Sequence, residues 1–168
     1  MTSLHSKPLA LKNVTVTDSF WRTEQELVRT AVIPYQWNAL NDNVPGAAPS
    51  YCMHNFKAAA AQNKRKDTQG KAFVPPKYTF RGFEALPEDP ANPAHPDEDK
   101  FYGFVFQDTD FSKWVEAVGY SLAHYPDPAL EQTADQAIDV VCAAQLDNGY
   151  LDTCYILNDM DRAFTNLR

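Results

Sequence analysis

The sequence lacks any apolar run long enough to span a membrane, and segment 1–18 contains no apolar block of signal-peptide length. It also lacks an excess of positive charge, since 15 basic residues face 22 acidic ones and the net charge is −7. This balance argues against binding to nucleic acid or to anionic membranes. The basic triplet Lys64-Arg65-Lys66 is the exception, and it suits the C-terminal end of a helix. We therefore expect a cytoplasmic protein with no nucleic-acid or membrane partner.

Cysteines are few as well. Cys52, Cys142 and Cys154 form an odd set without zinc-knuckle spacing, which predicts free thiols in a reducing compartment. Cys52 and His54 would point to different sides of a helix, which argues against a shared nucleophilic or metal site. We expect Cys52 and Cys142 to be buried small side chains. The sequence contains no glycine-rich phosphate loop and no nucleophile elbow, so motifs give no support for a cofactor-dependent reaction.

The chain has 168 residues, of which 44% are apolar and 22% charged, as in a globular domain with a core of its own. Weak alternation over 11–17 predicts one short strand. A helix follows, with Asp18 or Ser19 as its cap, and Pro34 is expected to stop or kink it. A further helix is predicted over about 51–62.

Two helices are predicted in the second half. Apolar residues recur at helical spacing over 111–122 and again over 130–141, which indicates an antiparallel helical hairpin spanning about 110–145. Asp127 and Pro128 suit the cap and the first position of the second helix. Before the hairpin, segment 63–100 carries half of the 12 prolines and no sustained periodicity, so it reads as a long inserted loop. These features together predict an all-α fold built from helical hairpins.

Polar residues flank the hairpin on both sides. Because the two ends of an antiparallel hairpin lie together, these residues are expected to share one rim: Gln107, Asp108, Asp110, Tyr150 and Asp152. Carboxylates, amides and aromatic rings suit the hydroxyls and faces of a sugar. Asp110 fits the role of a helix cap at least as well. Acid pairs serve in glycoside hydrolysis, but spacing alone identifies no general acid, so no catalytic residue is assigned.

Five blocks of sequence carry a family resemblance. They are Ile33–Trp37, Asn55–Lys57, Gly103–Trp114, Gln145 with Gly149–Thr153, and Phe164–Arg168. In this order they resemble successive blocks in the N-terminal part of glycoside hydrolase family 127, the β-L-arabinofuranosidase-like enzymes. The resemblance covers about 10–168, is interrupted by the proline-rich stretch, and leaves 1–9 as an N-terminal tail.

The resemblance implies the first part of an (α/α)6 barrel with a sugar pocket at one end of its helices. In that family, a cysteine nucleophile held on a zinc site and a glutamate acid/base remove terminal β-L-arabinofuranosyl groups with retention. Those residues lie in later parts of the family's chain, and none of the three cysteines here occupies a matching motif. The chain is therefore expected to be a truncated portion with no metal of its own and no activity alone.

The resemblance also bears on ligands and partners. If the parent pocket is retained, an arabinofuranoside-type glycan is expected to contact Gln36, Gln107, Asp108, Tyr150 and Asp152. A chain carrying the rest of the barrel, or a second copy of this one, is the expected protein partner. The alternative is a non-catalytic helical module for protein interaction or carbohydrate binding. A remnant should leave a large apolar patch uncovered, whereas a self-sufficient module should bury its apolar stripes.

Overall fold

A computed structural model describes residues 7–75, 77 and 97–164 of the chain. The protein is helical, and no β-strand occurs within these ranges. Most of the tail expected at 1–9 and much of the loop expected at 63–100 lie outside the described residues. The all-α prediction is confirmed.

Six α-helices and one π-helical turn form the described architecture. They are α1, Ser19–Leu27; the π turn, Val28–Val32; α2, Ile33–Leu40; α3, Cys52–Gln69; α4, Thr109–His124; α5, Pro128–Ala144; and α6, Thr153–Asn158. Short 3-10 turns lie at Leu11–Asn13, Gly70–Ala72 and Met160–Arg162. None of the helices in the described ranges has the length and apolar character needed to cross a membrane.

The strand predicted at 11–17 is wrong. Leu11–Asn13 forms a 3-10 turn, and Val14 then has extended dihedral angles, with φ −115° and ψ 124°. Alternating Val and Thr residues favour this extended backbone. A strand also needs a neighbour to pair its N–H and C=O groups, and the described residues supply none.

Pro34 was expected to stop or kink the helix, and the stop is wrong. The helical backbone continues from α1 into α2, with Pro34 in the first turn of α2. Proline has no N–H to give to the carbonyl four residues earlier, and its ring crowds that carbonyl. Here the N–H of Ile33 bonds instead to Val28 O, five residues back, so the turn before Pro34 is wider than an α turn. This wider turn accommodates the proline without ending the helix.

The predicted helical hairpin is confirmed as α4 and α5, joined by residues 125–127. Asp127 Oδ1 accepts hydrogen bonds from the N–H groups of Ala129 and Leu130, both at 3.1 Å, and thus caps α5. Asp18 caps α1 in the same way by accepting from Trp21 N at 2.9 Å. The main packing partner of α5, however, is α3 and not α4.

The core is organised around α3, which extends seven residues beyond the predicted end at 62 and stops before Gly70 (φ +52°). One face of α3 is fully buried and contacts α4, α5 and α6. The large or fully buried core side chains are Ile33, Leu40, Cys52, Met53, Phe56, Ala59, Phe101, Phe111, Trp114, Val118, Cys154, Ile156 and Leu157.

A buried amide connects this core to the segment leading into α4. Asn55, with no solvent exposure, donates from Nδ2 to Tyr102 O at 2.8 Å and accepts at Oδ1 from Tyr102 N at 3.0 Å. Both polar ends of the amide and both backbone groups of Tyr102 are therefore paired. Buried polar groups need such partners, so Asn55 fixes the backbone at Phe101-Tyr102 against α3.

We predict that Asn55→Ala destabilises the protein by about 2 kcal/mol, because it leaves a buried N–H and a buried C=O unpaired. Urea unfolding followed by circular dichroism measures the change. Gln132→Ala, at an exposed site in the middle of α5, is the control and should change stability by less than about 0.5 kcal/mol. Equal stability of the two variants would contradict the prediction.

Candidate functional site

The N-terminal end of α4 is tied to the N-terminal end of α6 by one carboxylate. Asp108 holds the cap position of α4, but its side chain does not bond to that helix. Its Oδ2 accepts from Thr153 N at 2.7 Å, and its Oδ1 accepts from Thr153 Oγ1 at 2.6 Å. Thr153 has no solvent exposure. Both oxygens of Asp108 therefore join two helices that are distant in the sequence.

Asp152 caps α6, a short helix that the sequence analysis missed. Its Oδ1 accepts from Cys154 N at 3.1 Å and from Tyr155 N at 3.4 Å. An acidic cap followed by the apolar run 154–157 was the available signal. The six-residue length of α6 hides its periodicity.

Asp108, Tyr150 and Asp152 thus meet at this junction of α4 and α6. Burial raises the pKa of Asp108 above its usual value, against the hydrogen bonds from Thr153, which lower it. The pKa of Asp152 is raised to about 6, mainly by burial and to a smaller extent by the charge of Asp108. Burial and Asp152 also raise the pKa of Tyr150. The junction therefore holds two carboxyls, and the charge of Asp108 opposes the ionisation of Asp152.

Gln36 and Gln107 lie on a different surface, the wall of a cavity of about 520 Å³ between the π turn with α2 and the start of α4. Gln107 Nε2 donates to Ser50 Oγ at 3.4 Å and to Asp110 Oδ2 at 3.3 Å. Lys113 Nζ donates to Asp110 Oδ1 at 3.0 Å. The prediction that Asp110 caps α4 is wrong, because its carboxylate turns towards Gln107 and Lys113.

An aromatic side chain completes this cavity. Trp114 lines it and stacks on Trp37 with ring centroids 4.4 Å apart and an angle of 25° between the ring planes. Its Nε1–H donates to Ile33 O at 3.2 Å, which fixes the ring between α2 and α4. We refer to the space lined by Gln36, Gln107, Asp110, Lys113 and Trp114 as the α2–α4 cavity. It combines amides, an ion pair and an indole, groups that can bind a hydroxyl-rich ligand.

The sequence analysis did not assign Ser50, Lys113 or Trp114 to a site. Trp114 was counted with the apolar stripe of α4, which is correct, and the same residue also reaches the cavity. The 107/110/113 spacing of Gln107, Asp110 and Lys113 was the signal that could have found the polar group, since residues three apart adjoin on a helix.

Gly103 positions Gln107. Its φ of +92° lies in the left-handed region, and a Cβ at this position would sit 2.8 Å from Gln107 Oε1. That oxygen also accepts from Phe104 N at 3.4 Å. A side chain at position 103 would therefore displace the amide that faces the α2–α4 cavity.

The cysteines do not form a reactive or metal-binding centre in the described part of the chain. Cys52 and Cys154 have no solvent exposure, and burial raises the pKa of each thiol to about 12, which disfavours the thiolate. Cys142 is exposed on α5, so the expectation that it is buried is wrong. Among the described residues, no three His, Cys, Asp or Glu side chains are grouped closely enough to hold a metal. These residues do not fit the zinc site that the family resemblance implies.

Comparison with known proteins assigns the family. A family model described as "Beta-L-arabinofuranosidase, GH127 catalytic domain" matches residues 13–167. The chain belongs to the GH127 catalytic-domain family. The resemblance stated from the sequence blocks is thereby confirmed.

Relatives of this GH127 chain include a non-reducing end β-L-arabinofuranosidase of Bifidobacterium longum subsp. longum. The two are 34% identical over 143 residues, which cover 85% of this chain and 18% of the relative. A solved GH127 β-L-arabinofuranosidase of Geobacillus stearothermophilus T6 superposes with a TM-score of 0.68 at 36% identity, covering 92% of this chain and 19% of that one.

A second solved structure, a GH127 β-arabinofuranosidase, gives a TM-score of 0.60 at 27% identity and covers 90% of this chain and 18% of that one. The GH127 chain described here therefore spans less than a fifth of the length of these relatives. Its helices correspond to part of their (α/α)6 barrel.

We predict that Asp152→Asn stabilises the protein by about 1 kcal/mol at pH 7.5, a figure reduced for the partial exposure of the carboxyl. Asparagine keeps the cap and removes a charge that burial and Asp108 oppose. Because the folded-state pKa of Asp152 is raised to about 6, the folded protein binds the proton more tightly than the unfolded chain. The stabilisation that this proton gives to the wild-type protein is fully present below the unfolded-state pKa of about 4. It is lost as the pH rises through 6.

The measurement is urea unfolding of wild type and variant between pH 4 and 7.5. The advantage of the variant should shrink as the pH falls and vanish near pH 4. Asp139→Asn, at an exposed site on α5, should show no such trend. A pH-independent difference at Asp152 would refute this assignment.

Gly103→Ala should destabilise the protein by about 1–2 kcal/mol, because alanine is strained at positive φ and its Cβ meets Gln107. The matched control is Gly119→Ala in α4, where an added Cβ has no neighbour within 4 Å. That variant should instead stabilise by about 0.5–1 kcal/mol, through helix propensity. Thermal melts of both variants measure the change in stability relative to wild type. A Gly103→Ala variant as stable as wild type or more stable would contradict the role of Gly103.

Proposed function

We propose that this chain forms the N-terminal part of a retaining glycoside hydrolase domain that removes terminal β-L-arabinofuranosyl groups, and that the α2–α4 cavity supplies one wall of its sugar pocket. One observation carries the proposal. Gln36 and Gln107 come from two separate blocks that resemble the family, and their side chains line a single cavity beside Trp114. The Bifidobacterium relative, a non-reducing end β-L-arabinofuranosidase, supplies the substrate class.

The cavity has the chemistry that sugar recognition needs. Each glutamine offers both a donor and an acceptor, Asp110 offers carboxylate oxygens, and Lys113 offers ammonium donors. The Trp114 indole, which is 4% exposed and stacks on Trp37, adds an apolar patch to the wall of the cavity. We assign direct contact to Gln36 and Gln107, since both line the space that a ligand would occupy.

The acids at the junction of α4 and α6 have a different role in this proposal. Both oxygens of Asp108 accept hydrogen bonds from Thr153, and Oδ1 of Asp152 accepts from two N–H groups at the start of α6. A general acid or base must be within reach of the substrate with a lone pair or proton available. In this proposal Asp108 and Asp152, with Tyr150 beside them, hold the junction of α4 and α6 together, and neither carboxyl is assigned to bond breaking.

The chain alone is proposed to be inactive. Cys52 and Cys154 are held as buried neutral thiols, which cannot serve as nucleophiles. Retaining hydrolysis also requires a second catalytic group on the other side of the scissile bond. In this proposal both groups come from the remaining part of a GH127 domain, and the chain contributes binding and orientation.

The test is a chimera in which residues 13–167 replace the matching segment of the Geobacillus enzyme. The chimera should hydrolyse an aryl β-L-arabinofuranoside, whereas the isolated chain with zinc and thiol should not. Gln107→Ala in the chimera should lower kcat/KM about tenfold or more, the loss expected when a hydrogen bond to substrate is removed from a half-buried site. Steady-state kinetics measures both quantities.

Two controls make this test specific. Gln132→Ala removes an amide of the same kind from an exposed site on α5 and should leave kcat/KM unchanged. Melting temperatures of both variants separate a folding defect from a loss of binding. Turnover by the isolated chain, or full activity of the Gln107→Ala chimera, would refute the proposal.

A further inference from the structure

The side-chain amide of Gln107 makes three hydrogen bonds within the chain. Its Nε2 donates to Ser50 Oγ at 3.4 Å and to Asp110 Oδ2 at 3.3 Å. Its Oε1 accepts from Phe104 N at 3.4 Å. An amide nitrogen carries two hydrogens, and an amide oxygen has two lone pairs. The described residues therefore take up both donors of Gln107 and leave one lone pair of Oε1 for a ligand.

Two of these neighbours determine which end of the amide faces which side. A carboxylate only accepts hydrogen bonds, so Asp110 Oδ2 requires the NH2 end of Gln107. A backbone N–H only donates, so Phe104 N requires the oxygen end. Ser50 can donate or accept and is compatible with either end. Asp110 is thus the side chain among these three partners that opposes a flipped amide.

The carboxylate of Asp110 is itself held in position. Lys113 Nζ donates to its other oxygen, Oδ1, at 3.0 Å, and the two residues adjoin at a spacing of three on α4. The oxygen end of the Gln107 amide lies over Gly103, where an added Cβ would sit 2.8 Å from Oε1. The ion pair and the glycine therefore favour the same orientation of the amide.

We propose that Asp110 is a positioning residue, which holds the Gln107 amide so that Oε1 accepts a hydrogen bond from a sugar hydroxyl in the α2–α4 cavity. A hydroxyl can donate or accept, so a glutamine that turned freely could bind it in either sense. The fixed amide selects one sense, and Asp110 acts on the sugar through Gln107. This inference rests on the proposed function, in which Gln107 contacts the sugar.

An exchange of the acid and the amide tests the proposal in the Geobacillus chimera. Gln107→Glu alone places a carboxylate beside that of Asp110, and the two charges repel. Adding Asp110→Asn restores a donor opposite an acceptor, with the two groups exchanged. Glutamate at position 107 accepts but does not donate, so it can replace glutamine only if the sugar hydroxyl donates to this position.

Gln107→Glu alone should lower kcat/KM about tenfold or more, and the double variant should return to within about threefold of wild type. Asp110→Asn alone keeps an acceptor oxygen for Gln107 and should lose less activity than Asp110→Ala. Asp139→Ala, at an exposed site on α5, is the control and should leave kcat/KM unchanged. A double variant no more active than Gln107→Glu would overturn the proposal.

The orientation of the amide is also measured without activity, in the full chain of 168 residues. The side-chain NH2 signals of Gln107 in a nitrogen-15 spectrum are identified by their loss in Gln107→Ala. They should move in Asp110→Ala and stay in place in Asp139→Ala. Signals that do not move in Asp110→Ala would show that Asp110 does not hold the amide.

Melting temperatures of the full chain complete the exchange experiment. Gln107→Glu should lower the melting temperature by about 2–4 °C through repulsion between the carboxylates, and Asp110→Asn in the same chain should recover most of that loss. Additive losses from the two substitutions would contradict the hydrogen bond between positions 107 and 110.

The inference and the proposed function fail separately. A chimera that is inactive with Gln107 and Asp110 intact rejects the proposed function, and the spectra and melting temperatures of the full chain still decide whether Asp110 holds the amide. An active chimera in which the exchange restores the melting temperature but not kcat/KM keeps the proposed function. That result would reject Oε1 of Gln107 as the acceptor for the sugar, and with it the inference.

Discussion

Burial of α3 is the constraint on which the rest of the structure depends. Its N-terminal half places Cys52, Met53, Phe56 and Ala59 out of solvent, and α4, α5 and α6 all pack against it. The alanines let neighbouring helices approach closely, while Phe56 supplies the largest buried area on the helix. A substitution that disrupts this packing would therefore weaken the contacts of all three helices with α3.

The packing around α3 also explains why two polar regions lie near one end of α4. Gln107 and Asp108 are consecutive, but one turns to the α2–α4 cavity and the other to Thr153 on α6. The segment before α4 is held by Asn55, so the two side chains diverge from a fixed backbone. One short segment thus lines a cavity on one side and joins two helices on the other.

The sequence predicted those parts of the fold that periodicity and capping determine. The α4–α5 hairpin and the caps Asp18 and Asp127 follow from apolar spacing and cap chemistry, and the structure has them. Helix α6 was missed because six residues are too few to show a period. The partners of Asp108 and Asp110 could not be predicted, since they depend on tertiary contacts with Thr153 and Lys113. A carboxylate at a helix start looks the same in sequence whether it caps, crosslinks or lines a cavity.

The π turn at Val28–Val32 changes the angular position of the side chains that follow it around the helix axis. One extra residue in a turn advances all later side chains by about 100° around the axis relative to an unbroken α-helix. Trp21 before the turn lines a cleft against the C-terminal end of α4, and Gln36 after it lines the α2–α4 cavity. A chain one residue shorter here would form a regular helix and would rotate Gln36 away from its present direction. This single turn therefore sets the side of the continuous helix on which Gln36 lies.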